Sequence, residues 1–121
     1  MNIENIKFKA KSLNSGKWIE GDLIRQSNGI YIRRHKNLSV IVDASTVCQF
    51  TGLKDCKGNE IWEGDIVRDN YDLLGIDNLY EVVYIEKEGM FAFKSLDKVD
   101  NYEPFVNLFE VYVVGNKFDK K

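Results

Sequence analysis

The chemistry open to this chain is narrow. It holds one histidine, His35, and two cysteines, Cys48 and Cys56. Structural zinc needs four ligands at tight spacing, so two cysteines eight positions apart read as reduced thiols in or near a core. His35 stands among Arg33, Arg34 and Lys36, whose positive charge lowers its affinity for a proton and makes it a poor general base. No nucleophile sits in a motif such as G-x-S-x-G, and no glycine-rich run opens a helix to cradle phosphate. Asp55 to Glu60 has the outline of a calcium loop. However, an EF-hand needs oxygen ligands at alternate positions, and Lys57 occupies the second of them. A tight turn around Lys57-Gly58 accounts for those residues better. The carboxylate pairs Glu20/Asp22 and Glu63/Asp65 each flank a glycine, a pattern that local hydrogen bonding explains without a cation. The expectation is a protein with no enzymatic activity, no cofactor and no metal.

Binding is what remains. Residues 1–50 carry eight basic and four acidic side chains, net +4, whereas residues 51–121 carry nine and fifteen, net −6. Lys9, Lys11, Arg25, Arg33, Arg34 and Lys36 are placed so that they can share a face, with Tyr31 available for stacking on a base. Small β-barrels bind single strands through such a groove with aromatics. The competing reading is a solvated basic edge, the usual role of surface charge runs. Loop aromatics, Tyr71, Tyr102 and Phe105 among them, point instead to a protein partner. Protein binding or self-assembly is the preferred reading, and single-stranded nucleic acid the alternative.

The elements that position these residues are strands. Ile6, Phe8 and Ala10 alternate with Lys7, Lys9 and Lys11, a half-buried strand whose lysine face suits a sheet edge. Leu23-Ile24-Arg25 and Ile30 to Arg33 flank Asn28-Gly29, a hairpin signal in which both central residues take positive φ. Leu38 to Val42 is a further strand. Asp43 to Val47 reads as a short capped turn. In the second half, Ile66 to Arg68, Tyr80 to Glu86, Met90 to Lys94 and Val111 to Val114 are strands. Asp69 to Asn78 is a loop with apolar content, and Glu88-Gly89 a turn. Pro104 to Phe109 can form one helical turn, since proline fits the first helical position.

One string occurs twice. Glu20-Gly21-Asp22-Leu23-Ile24-Arg25 is echoed by Glu63-Gly64-Asp65-Ile66-Val67-Arg68, and Trp18 and Trp62 stand just upstream. The 43-residue offset suggests a repeated strand start, in which glycine supplies an unusual φ and aspartate bonds the local backbone. Two copies are too few for a solenoid.

The centre of the chain carries a longer signature. Gln49, Phe50, Thr51, Gly52, Leu53, Asp55, Gly58, Glu60, Ile61, Glu63, Gly64, Asp65, Ile66 and Val67 match the pattern of the YopX family. The opening Ile6 to Ala10 with Lys17-Trp18 and Gly21-Asp22-Leu23, and the ending Glu110-Val111 with Val114-Gly115-Asn116, also resemble it. Lys11 stands where the family often has tryptophan, and Cys48 where glycine is common. The resemblance spans nearly the whole chain. It implies a mostly β protein of bacteriophages and prophages, acting in the cytoplasm of a bacterial host, and it brings no enzymatic activity with it. Gly21, Asp22, Gly52, Asp55, Gly58, Gly64 and Asp65 are expected to be structural.

The chain has 121 residues with 44% hydrophobic and 30% charged side chains, and its net charge is −2. That excludes a globally basic nucleic-acid binder and an acidic disordered chain. No apolar run approaches the ~20 residues needed to span a bilayer, and Met1 to Asn5 lacks the order of a signal peptide. No membrane is expected. The reading is one all-β domain over 1–121. It comprises an antiparallel β-unit at about 1–50 and a small barrel of Src-homology-3 type at about 51–117, with at most one or two helical turns. An unidentified host or phage protein, or a second copy of the chain, is the expected partner.

Overall fold

The computed structural model describes residues 2–35, 38–69, 79–96, 102–104 and 110–119. Among these residues the protein is all-β. The strands are β1 (Phe8–Lys11), β2 (Trp18–Gln26), β3 (Gly29–His35), β4 (Leu38–Val42), β5 (Cys48–Lys54), β6 (Glu60–Trp62), β7 (Asp65–Asp69), β8 (Leu79–Ile85), β9 (Met90–Ser95), β10 (Tyr102–Pro104) and β11 (Val111–Asn116). Two 3-10 turns, Ile3–Asn5 and Ala44–Thr46, are the helical content described. The second forms as its sequence predicts, because Asp43 caps it by accepting from the Ser45 N–H at 3.0 Å. Two antiparallel sheets have the strand orders β4-β3-β2-β1-β5-β6 and β10-β9-β8-β7-β11. By contact the chain divides into two compact units, Met1–Phe50 and Thr51–Lys121.

In the first unit β1 is not the edge that its lysines suggest. It pairs with β2 on one side and β5 on the other. Its lysines, with neighbouring Lys7, lie instead over the rings of half-buried Trp18 and buried Phe50 on the face away from Ala10, so their alkyl stems cover apolar surface. Phe8 and Ala10 point the other way, into a core of Ala10, Ile32 and Val42 edged by Phe8, Ile19, Leu23, Ile30 and Val47. Complete burial of a side chain such as Ile32 contributes about 1.5–3 kcal/mol relative to exposure. β2 changes partner midway: Trp18 to Gly21 pair with β1, and Asp22 to Gln26 with β3. The β2–β3 hairpin also closes one residue earlier than expected. Gln26 pairs with Gly29, so Ser27 and Asn28 form the turn and Gly29 begins β3. A bridge between Ser12 and Val42, with Asp43 N–H donating to the Lys11 carbonyl at 2.8 Å, ties β4 back to the end of β1.

The second unit is a meander, β7-β8-β9-β10, with β11 on the far side of β7. Ile61, Val67, Tyr80, Val82, Phe93 and Val111 form its core, with Val113 against them. The Tyr80 and Phe93 rings meet tilted at 6.1 Å. The barrel expected here is not closed among the described residues. β10 and β11 are the two ends of an open sheet, and the outer edge of β11 is taken by the turn that starts at Asp55. Tyr102, expected in a loop, lies in β10, and Pro104 is the last residue of that strand. Tyr71, the rest of the expected loop to Asn78, and Phe105 to Phe109 lie outside the described residues.

The repeated string does not fold twice the same way. Glu20-Gly21-Asp22 runs inside β2, where Gly21 is needed for close approach: a Cβ there would stand 2.1 Å from the Arg33 carbonyl oxygen. Glu63-Gly64 is a turn between β6 and β7, and Gly64 holds φ at +86°. The pairing partners differ, so identical local chemistry serves a close strand approach in one place and a reversal in the other.

Candidate functional site

The signature residues build a scaffold. Asp55 is buried, and its Oδ1 accepts from the N–H groups of Lys57 at 2.9 Å and Asn59 at 2.8 Å. Its Oδ2 accepts from Asn59 Nδ2 at 3.3 Å and from the Val113 N–H at 2.8 Å. Burial pushes the Asp55 carboxyl up, but the hydrogen bonds from Val113, Asn59 and Lys57 outweigh it and hold the group below the usual carboxylate value. Gly58, at φ +86°, closes the turn. Asp65 is 2% exposed and joins the start of β7 to the end of β11: Oδ2 accepts from the Trp62 N–H at 2.8 Å, and Oδ1 from Asn116 Nδ2 at 3.0 Å. The Gly64 N–H donates to the Val82 carbonyl at 2.7 Å, and its own carbonyl accepts from the Lys117 N–H at 2.8 Å. Gly52 lies in β5, beside Thr51, whose hydroxyl donates to the Ile61 carbonyl at 2.7 Å. These carboxylates are occupied as acceptors for backbone and amide groups. Among the described residues, no group of three or more histidines, cysteines or acids is arranged to hold a metal ion.

By register Lys9, Lys11, Tyr31 and Arg33 lie on the face of the sheet turned away from its core, and Arg25 lies on the other. Lys9 and Lys11 both stand over the Trp18 ring, at 4.7 and 5.3 Å from its centroid. Neighbouring Lys7 lies 4.9 Å from the Phe50 centroid and pairs with Glu20 at 3.2 Å. Tyr31 and Arg33 share a face of β3, with Asp22 directly opposite Arg33. Arg25 pairs with Ile30 and so projects from the opposite face. Arg34 is exposed beside an irregularity between Arg33 and His35. Lys36 lies outside the described residues.

A different surface has the character of a binding site. β8 and β9 are apolar on both faces. Val82 and Phe93 enter the core, while Val83, Ile85, Met90 and Ala92 line the other side. There they form a groove of about 680 Å³, with Tyr84 and Tyr102 at its margins and Lys87, Glu88 and Lys94 around it. Met90 is 36% and Tyr102 42% exposed. The Tyr84 ring packs edge-on against its cross-strand partner Phe91 at 5.2 Å. Sequence reading missed this groove, although a signal was present: Tyr80 to Ile85 is apolar at both parities, and a strand with two apolar faces has two surfaces to cover.

Both cysteines are free thiols, Cys48 buried and Cys56 exposed. Among the described residues, no helix is long and apolar enough to cross a membrane.

Comparison with known proteins agrees with this architecture. The family described as YopX protein matches residues 1–120. No curated protein matches the chain. Among solved structures, the crystal structure of protein EF1440 from Enterococcus faecalis is similar, with a TM-score of 0.56 and 22% identity. The match covers 92% of each chain. At that identity the likeness is one of fold.

Proposed function

The chain belongs to the YopX family, and from that premise we propose that it is a non-enzymatic accessory protein of a bacteriophage or prophage that works by binding a protein in the host cytoplasm. The observation that carries this reading is the groove of Val83, Ile85, Met90 and Ala92 with exposed Tyr102 at its margin. Aromatic residues and methionine are enriched at protein interfaces, and Val83, Ile85 and Met90 stand apart from the core built on Val82 and Phe93. The occupation of Asp55 and Asp65 by backbone donors argues in the same direction, because it leaves the signature with a structural task.

The test is capture from phage-infected host lysate with the tagged wild type and with Met90→Glu/Tyr102→Glu, each with and without nuclease. The expected result is one defined protein that survives nuclease and is lost with the double variant. Equal recovery by the variant would remove the groove from the account. Recovery of nucleic acid alone, with every partner lost on digestion, would favour the single-strand reading centred on Tyr31 and Arg33. That reading has the net +4 charge of residues 1–50 behind it, but Lys9 and Lys11 are spent on Trp18.

A further inference from the structure

The outer edge of β11 is covered in an unusual way. The Val111 carbonyl accepts from the Cys56 N–H at 3.1 Å, and the Val113 N–H donates to Asp55 Oδ2 at 2.8 Å. A carbonyl at one residue and an N–H two residues later are the pair that a strand presents to its next neighbour. The Asp55 turn satisfies both, and one of its acceptors is a side-chain carboxylate standing in for a strand carbonyl. Lys57 adds a cation over the Tyr112 ring at 4.0 Å.

The turn is also complete without the strand. Asp55 N–H donates to the Asn59 carbonyl at 2.7 Å, Gly58 N–H donates to the Asp55 carbonyl at 3.1 Å, and Oδ1 holds Lys57 and Asn59. It can lift from β11 intact, breaking two hydrogen bonds and the Lys57 contact. Those two backbone groups are self-complementary. In an antiparallel pairing of two β11 strands about a two-fold axis at Tyr112, each Val113 N–H meets the other copy's Val111 carbonyl. The donor and acceptor of each edge are satisfied again, four turn-to-strand bonds in two chains giving way to two between strands while the released Cys56 N–H and Asp55 carboxylate pass to water, so the exchange depends on concentration.

We infer that the Asp55 turn is a removable cover on a latent pairing edge, and that when it lifts two copies of the chain join through β11. This surface is distinct from the β8–β10 groove.

The test is Asp55→Asn. Its remaining oxygen keeps the turn, but an amide NH2 then faces the Val113 N–H, donor against donor. Size exclusion with light scattering is expected to show wild type as a monomer and the folded variant as a dimer that dissociates on dilution. Adding Tyr112→Glu, which sets two like charges opposite each other across the axis, is expected to restore the monomer. A folded Asp55→Asn protein that stays monomeric, or a dimer that survives Tyr112→Glu, overturns the inference. If Asp55→Asn does not fold, hydrogen exchange on wild type decides. The Val113 amide is expected to exchange roughly tenfold or more faster than the β8 amides, through local opening. Exchange of Val113 only at the rate of global unfolding overturns it.

Discussion

Asp65 and Asn116 hold each other across 51 positions of sequence, with the Asn116 amide donating to the buried carboxylate at 3.0 Å. Asn116 in turn accepts from the Phe118 N–H at 2.9 Å. The chain after β11 is thereby fixed to the turn that begins β7. Asp65→Ala leaves the Trp62 N–H and the Asn116 amide without an acceptor in a buried place. The expected loss is about 2–4 kcal/mol, from two unsatisfied buried donors. Urea titration of wild type and variant measures it, and a loss below about 1 kcal/mol would show that water replaces the carboxylate.

Asp55 makes stability depend on acid. Its pKa is lower in the folded chain than in the unfolded one, so the stabilisation is fully present above the unfolded value, about 3.9. It is lost as pH falls from there through the folded value, because the unfolded chain takes up the proton first. Stability measured from pH 6 downward is expected to drop below about pH 4, and to drop less steeply in Asp55→Ala. Parallel curves for the two proteins would exclude Asp55 as the group responsible.

Gly21 and Gly64 fail for different reasons when a side chain is added. Gly21→Ala puts a Cβ against the Arg33 carbonyl, which backbone movement alone relieves, and more than about 3 kcal/mol is expected. Gly64→Val must hold φ +86° in a buried turn, at about 1–3 kcal/mol. Thermal melts rank them against Gly16→Ala, a turn position at φ +71° with open space around it, which carries backbone strain without a clash. An unchanged melting temperature in either variant would contradict the geometry.

Arg33→Glu/Arg34→Glu changes exposed positions. Its stability is expected to stay within about 1 kcal/mol of wild type, with the small cost arising where the new carboxylate at position 33 would face Asp22. Binding to single-stranded DNA at low salt, measured on the same pair of proteins, should show no difference. A marked loss would establish Arg33 or Arg34 as a phosphate contact.

Much of the fold was legible because its cause is local. Leu38 to Val42 is a strand by composition, and Asp43 caps the following turn with its own side chain. The errors arose where distant partners decide. Lysines alternating on β1 suit an edge, but nothing in those residues announces that Trp18 and Phe50 will lie beneath them. Glu-Gly-Asp reads the same at 20–22 and 63–65, yet the Arg33 carbonyl shapes the first, and Val82 and Lys117 shape the second. The apolar groove was hidden for a related reason. Val82 and Val83 are equally apolar in sequence, and only packing against Phe93 shows which of them is core.

The two tryptophans divide between the units, and their surroundings are opposite. Trp62 is 5% exposed, whereas Trp18 is half-buried beneath the ammonium groups of Lys9 and Lys11. Their fluorescence should therefore differ in colour: Trp62 emits from an apolar interior, and Trp18 from a wet, cationic one. Trp18→Phe leaves an optical signal from residues 51–121 alone, and Trp62→Phe one from residues 1–50. With those two proteins a single spectrometer can ask whether the halves melt together or one at a time.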